Sequence, residues 1–396
     1  MNRRTPGRFS TGPSAHERLV ALGPAMPLIQ YLSRIRFDFG ALAHLRDEAA
    51  RLGLRRPLLV TDKGIAGAGI VQRTLDAARP LRPVLFDATP ENPTEAALDQ
   101  CLAIWREHGC DGVIALGGGS AIDLGKAVAL ITSHGGRLAD YDVKAGGADR
   151  IGKVSPQIAI PTAAGTGAEV GRACVMLLDS GARCVPVSLN MVADTVICDP
   201  ELTLTLPAHL TAATGIDALS HGVEALCSPW ENPPAAAIAR DAVRLAARWL
   251  PVAVADGANR NARYQMMMAA LMGGMCLQKA LGAAHAMANP LGALGLHHGT
   301  LIGVLLPHVL RFNNGHADAA FDDLRAAMGL PAGVTLHDAV ARLVADIGLP
   351  ARLGQLGVTQ DLLPDMADKA ATDHLSATNP RPATSADYLE LLRAAC

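Results

Sequence analysis

Short apolar runs alternate with helix-length amphipathic stretches through the first half of the chain. RPLLVTD (56–62) is apolar up to a polar turn, as a buried parallel strand should be. A helix is expected near 67–79, a short strand at PVLFDA (83–88) and a second helix near 94–109. GVIALG (112–117) reads as a strand that runs into a glycine turn and a further helix. IAIPTAA (158–164) and TVICDP (195–200) extend the strand series. This alternation predicts a parallel α/β sheet with ligands at the carboxyl ends of its strands. After DPELTLTLP (199–207) the pattern changes, and Ala, Leu, Met and Gly recur at helical spacing. We therefore expect a mobile tail over 1–28, an α/β domain over 29–200 and a helical domain over 201–396.

Composition narrows the possibilities. Half the residues are hydrophobic and 18% are charged, so a large core is available and general disorder is excluded. A net charge of −2 and 3% aromatic residues give no basis for nucleic-acid binding. The eight cysteines are scattered without a CxxC pair, which points to reduced thiols and a cytoplasmic protein. From Ala280 to Leu310 there is no Asp, Glu, Lys or Arg. That span exceeds the ~20 residues of a membrane helix. It carries Asn289, Pro290, Pro307, five glycines and four histidines, so it reads as buried helices and a loop lining a site.

Two loops suggest a nucleotide. In GGGSAIDLGKA (117–127) three glycines allow close approach of a pyrophosphate, and the following helix offers its N-terminal N–H groups. Ser120 can cap that helix. A Walker A loop is disfavoured, because five residues separate Gly119 from Gly125 and Ala127 follows Lys126. The GxGxxG fingerprint also fails, at Ile122. The motif alone fits either a phosphate cradle or a tight turn. PTAAGTGAEV (161–170) supplies a second loop, with hydroxyls at Thr162 and Thr166. Asp62, closing a strand, can accept from a ribose diol and would repel a 2′-phosphate, favouring NAD over NADP.

A metal site is the second suggestion. In GIDALSHGVEA (215–225), Asp217 and His221 stand at i and i+4 and share a helix face. Such a pair is either a local ion pair or half of a metal site. His285, His297 and His298 add imidazoles in the charge-free stretch, and one Asp with three His suits Fe(II) or Zn(II). Satisfied core histidines are the other possibility.

The ordered set TDKG, PENPT, GGGSAIDLGKA, PTAAGTGAEV, DPELTLTLP, TGIDALSHGVEA, HAMANPLG, HHG and LLPHVLRFN resembles the iron-containing (group III) alcohol dehydrogenase family. The resemblance spans roughly 30–315 and implies a Rossmann-like α/β dinucleotide-binding domain. It implies an all-α metal-binding domain beyond it, the two-domain plan shared with dehydroquinate synthase. It places Asp217, His221, His285 and His298 on the metal-ligand positions. Asp62, Asn92, Gly118, Gly119, Ser120, Asp123, Thr162 and Thr166 match positions that contact NAD(P). Arg183 stands where many members have Lys near the cofactor.

There are departures. Asn289 replaces a second His that lies near nicotinamide and substrate, so His297 or water would have to relay protons. The stretch before HHG is about one residue short, which leaves His297 and His298 competing for the fourth ligand position. Lys279, in an apolar stretch six residues before His285, is expected either to receive an anionic group on a short substrate or to form a structural ion pair with a carboxylate elsewhere in the chain. The resemblance implies reversible hydride transfer between a short primary alcohol or aldehyde and NAD, in a homodimer or larger homo-oligomer. A metal-independent reductase of the maleylacetate type and a cyclising lyase of the dehydroquinate synthase type are the alternatives.

Overall fold

The structure is a computed structural model, and it describes residue 31 and residues 33–396. The tail expected over 1–28 lies outside the described residues. Six parallel strands form the main sheet: β1 (Arg34–Phe37), β2 (Leu58–Val60), β3 (Val84–Phe86), β4 (Val113–Gly117), β5 (Gln157–Pro161) and, after a hairpin, β8 (Thr195–Cys198). Their spatial order is β1-β8-β5-β4-β2-β3. The hairpin pairs β6 (Met176–Leu177) with β7 (Arg183–Cys184).

Strand alternation divides two cores. Leu58, Val60, Val113 and Ala115 face one, while Leu59, Ile114, Leu116, Ile158 and Ile160 face the other. Burial on both faces explains why the strands read as unbroken apolar runs. The chain leaves β2 outward to β3 and returns on the other side of β2 as β4. The sheet's topological switch therefore lies between β2 and β4, where a crevice opens at the carboxyl ends.

The helix expected near 67–79 is two helices, Lys63–Gly67 and Ile70–Ala78. They are separated at Gly69, whose φ of 76° an α-helix cannot accommodate. Strand β1 and the small hairpin escaped the sequence pattern. RIRF is half polar, and two-residue strands carry no period.

From Ala208 onward the chain is helical. Helices Ala208–Cys227, Pro233–Ala255 and Arg260–Cys276 pack together, followed by Ala283–Gly292, His298–Asn313 and four further α-helices. Every residue from Gly215 to Cys227 is buried. No single described helix is long and apolar enough to cross a membrane. The pair Arg260–Lys279 and Ala283–Gly292 has the composition but bends by 106°.

Glu48 ties the N-terminal edge together. Its carboxylate, 1% exposed, accepts from Arg34 (3.0 Å), Arg36 (2.7 Å) and Arg51 (2.9 Å). Burial pushes its pKa up, but the hydrogen bonds from Arg51, Arg36 and Arg34 outweigh this and hold it at about 2, against an ordinary 4.5. With a depressed folded pKa, this contribution is complete above pH ~4.5 and is lost as pH falls toward 2. We expect Glu48→Gln to cost about 2 kcal/mol at pH 7. Urea titrations of both proteins at pH 7 and pH 3 should show the difference shrinking at the lower pH.

Candidate active site

A cavity of about 1370 Å³ lies between the carboxyl edge of the sheet and the helices. That exceeds the ~300–1,000 Å³ of ordinary small-ligand pockets. Two loops form its sheet-side wall. Gly118 is the N-cap of the helix Gly119–His134, and no side chain caps it. Ser120 is therefore not the cap expected from sequence; it lies inside the first turn and donates to the Glu91 carbonyl. The first-turn N–H groups face the cleft without a side-chain acceptor, and a Cβ on Gly118 would meet nothing within 4 Å. Gly119 is different: a Cβ there would lie 2.8 Å from Thr166 Cγ2, so the two loops touch only because it is glycine.

Thr162 N donates to the Gly117 carbonyl (3.0 Å), and Thr166 Oγ1 accepts from Ala168 N (3.2 Å). Asp62 caps its helix by accepting from Ile65 N (2.9 Å) through Oδ1. A Cβ on Gly117 would sit 3.4 Å from Asp62 Oδ2, so this second oxygen faces the glycine turn. Asn92 and Asp123 also line the cleft. Asp123 accepts from Val175 N (3.0 Å), and burial raises its pKa to about 6 against the pull of Lys126. Lys126, which the sequence did not single out, donates to the carbonyls of Ala168 (2.6 Å), Gly171 (2.6 Å) and Ala173 (2.9 Å). It clamps the second loop to the helix of the first.

The opposite wall gathers the imidazoles. Asp217 Oδ1 lies 3.5 Å from His285 Nε2, 3.6 Å from His221 Nε2 and 3.7 Å from His298 Nε2. Bonds of about 2.1 Å to one tetrahedral ion would space neighbouring ligand atoms by about 3.4 Å. Ligand atoms of Asp217, His285 and His298 all fall within 4.8 Å of one another. Asp217 Oδ1 and His285 Nε2 are buried without a hydrogen-bond partner. Orphaned atoms converging in this way fit a divalent cation. Of the two competing histidines, His298 turns inward. His297 is the N-cap of the helix His298–Asn313, its Nδ1 accepting from Thr300 N (3.4 Å), and its side chain still lines the cleft.

Glu224 is the residue that sequence reasoning missed. It stands seven residues after Asp217 and three after His221, on the same helix face, and that spacing was available. It accepts from His285 Nδ1 and, through Oε1, from Ala284 N (2.8 Å). Gly282 has no side chain to cap the helix Ala283–Gly292, so Glu224 and Asn379, which accepts from Ala283 N (3.2 Å), do so. Glu224 thus fixes both the helix and the His285 ring.

The electrostatics favour added positive charge. Burial opposes protonation of all three imidazoles, pressing His221 to about 4 and His298 to about 3. At His285 the carboxylates of Glu224 and Asp217 overcome burial and lift it to about 9. Burial would raise Asp217, but His221, His285 and His298 hold it well below the usual carboxylate range.

Lys279 does not reach this centre. It closes a 3-10 turn before Ala280, whose φ of 63° reverses the chain, and it is absent from the cleft wall. Its Nζ donates to the Trp230 carbonyl (2.7 Å), so it props the turn whose Trp230 lines the cleft. Arg183 does reach the cleft: its Nη1 donates to the Asn289 carbonyl (3.0 Å). Asn289 Nδ2 donates to Asp373 Oδ2 (3.1 Å), and His374 beside it also lines the cleft.

Glu224→Gln should weaken divalent-metal retention by roughly 10–100-fold, because the His285 ring loses its acceptor. Competition with a coloured chelator measures this directly; unchanged retention would show that Glu224 does not orient the ligand. Gly299 offers a second check, since a Cβ there would come 1.9 Å from the Ala213 carbonyl. Gly299→Ala should push the His298 helix away and lower retention by about tenfold or more.

The comparisons agree with this geometry. Residues 33–200 match the iron-containing alcohol dehydrogenase family, and residues 211–396 match the C-terminal region of Fe-containing alcohol dehydrogenases. A 4-hydroxybutyrate dehydrogenase of Cupriavidus necator is 46% identical, over 93% of this chain and 99% of the relative. A solved 1,3-propanediol oxidoreductase superposes with a TM-score of 0.88 at 37% identity, covering 93% of this chain and all of that one. A sulfoacetaldehyde reductase from Bifidobacterium kashiwanohense, solved with NAD+, gives 0.86 at 30% identity, covering 93% and 98%. With both parts of the chain matched and the sheet, the helices and the Asp/His cluster in place, the chain belongs to the iron-containing alcohol dehydrogenase family.

Proposed function

We propose that this enzyme transfers a hydride reversibly between a short ω-hydroxy carboxylic acid, or its aldehyde, and NAD. The observation that carries the reaction class is the convergence of three imidazole Nε2 atoms on Asp217 Oδ1, across the cleft from the glycine loops. The name of the 46% identical relative supports a carboxylate-bearing substrate.

Asp217, His221, His285 and His298 would hold an Fe(II) or Zn(II) ion. Such an ion acts as a Lewis acid that makes an alcohol easier to ionise, and nicotinamide accepts the hydride. The chain supplies position and electrostatics. First-turn N–H groups at Gly119 and Ser120 receive the pyrophosphate. Asp62, with one oxygen committed to Ile65 N, keeps the other for ribose hydroxyls, which favours NAD over NADP. Glu224 keeps the His285 proton on Nδ1, so that Nε2 faces the centre. Asn289 has no titratable proton to pass on. Relay therefore falls to His297 or to water in the cleft. His297 accepts at Nδ1 from Thr300 N, so its neutral ring carries the proton on Nε2.

Stripping divalent metal should reduce NAD-dependent oxidation of 4-hydroxybutyrate by at least about 100-fold, and anaerobic reloading with Fe(II) or Zn(II) should restore it. Replacing NAD by NADP should lower kcat/KM by about tenfold or more, and Asp62→Ala should narrow that gap. Turnover indifferent to metal would instead place the enzyme with metal-independent reductases.

A further inference from the structure

Two guanidinium groups line the cleft without a carboxylate oxygen within 4.0 Å among the described residues, Arg172 and Arg183. Both are half-buried, and a half-buried cation without a close anion is costly, so a ligand that brings an anion gains by meeting it. The other cation on the wall, Lys63, already has Asp87 at 2.6 Å. Arg183 differs from Arg172 in where it is fixed. Its Nη1 bonds the Asn289 carbonyl, four residues along the helix from the ligand His285. Gly292, on that helix, makes the room: a Cβ there would lie 3.1 Å from Arg183 Nη1. The charge of Arg183 is felt at His298 on one side and at Asp123 on the other, so it sits between the metal centre and the cofactor helix.

The carboxylates nearest in charge, Asp373 and Asp123, attract Arg183 from beyond 4.0 Å and hold hydrogen bonds of their own. Asp373 accepts from Asn289 Nδ2 (3.1 Å) and has His374 Nδ1 at 3.3 Å from its other oxygen; Asp123 accepts from Val175 N.

We propose that the Arg183 guanidinium receives the substrate's carboxylate, anchoring an ω-hydroxy acid by its far end while the hydroxyl reaches the Asp217–His285–His298 centre. A guanidinium presents paired donors that match a carboxylate. This assignment rests on the hydroxy-acid reading above. A phosphate of the dinucleotide is the other anion that could claim the same group, and the two are separable by experiment.

Metal-loaded wild type, Arg183→Met, Arg183→Lys and Arg172→Met would be assayed on 4-hydroxybutyrate and on neutral 1,4-butanediol. NADH affinity would be read by fluorescence, and butyrate binding to the NADH complex by calorimetry. In Arg183→Met we expect kcat/KM for the acid to fall about 100-fold, carried mainly by KM, with less than about threefold change for the diol. NADH affinity should stay within about threefold, butyrate binding should vanish, and Arg183→Lys should recover part of both. Equal losses on acid and diol with weakened NADH binding would assign Arg183 to the cofactor and overturn the proposal. Discrimination kept in Arg183→Met, or lost in Arg172→Met instead, would overturn it while leaving the hydroxy-acid reading intact. A wild type that does not prefer acid to diol would sink that reading, and this proposal with it.

Discussion

The architecture depends on a carboxylate placed where water cannot reach it. Asp217 is 2% exposed, in a helix buried without interruption from Gly215 to Cys227, and its Oδ1 has no hydrogen-bond donor. An ionised group so placed costs several kcal/mol unless positive charge compensates it. The three imidazoles around it reduce the cost only partly, because burial presses His221 and His298 toward neutrality. A divalent cation resolves the conflict, and two neutral imidazoles are then ready ligands.

Holding the centre in place requires backbones to approach closely. Gly299 lets the His298 helix lie against the Ala213 carbonyl, and Gly282 leaves room for Glu224 and Asn379. On the far side, Gly167 (φ 61°) meets Gly274 so tightly that a Cβ on it would lie 2.4 Å from the Gly274 Cα. That contact seats the second nucleotide loop directly on a helix of the metal-binding region. Cofactor wall and metal wall are thus registered through main chain, without intervening side chains that could change rotamer. Reaction geometry needs such precision, since small displacements of reacting groups carry large rate penalties.

Much of this was legible in the residues. Strands β2, β4, β5 and β8 announced themselves because burial on both faces makes them continuously apolar. Asp217 and His221 declared a shared face through i, i+4 spacing. Other features depend on tertiary placement that no local pattern encodes. Whether His297 or His298 turns inward depends on which of the two begins the helix, a matter of one residue. Lys279 suggested an anion receptor because a lysine in an apolar stretch is costly. The structure meets that cost with the Trp230 carbonyl instead, forty-nine positions away in sequence. Glu224 shares the helix face of Asp217 and His221, which its spacing shows, but its partner His285 is sixty-one positions away and that pairing is set by tertiary placement.

Charge accounting in the cleft connects these pieces. Between Ala280 and Leu310 the chain contributes no Asp, Glu, Lys or Arg, so few neighbours screen the charges present. Asp217 and Glu224 together balance a divalent ion. Asp373 accepts from Asn289 Nδ2 through one oxygen and from Leu375 N through the other. Arg183 feels Asp373 and Asp123 only at a distance, with no carboxylate oxygen within 4.0 Å among the described residues. A cation in that position is costly unless a ligand brings a negative charge to it, and the substrate and the dinucleotide phosphates are the two sources of one. It becomes favourable only when the molecule entering carries its own negative charge. The cation on this wall of the cleft is supplied by Arg183, on a short strand of the α/β half, and not by Lys279. Gly292, on the His285 helix, gives it the space to reach the Asn289 carbonyl.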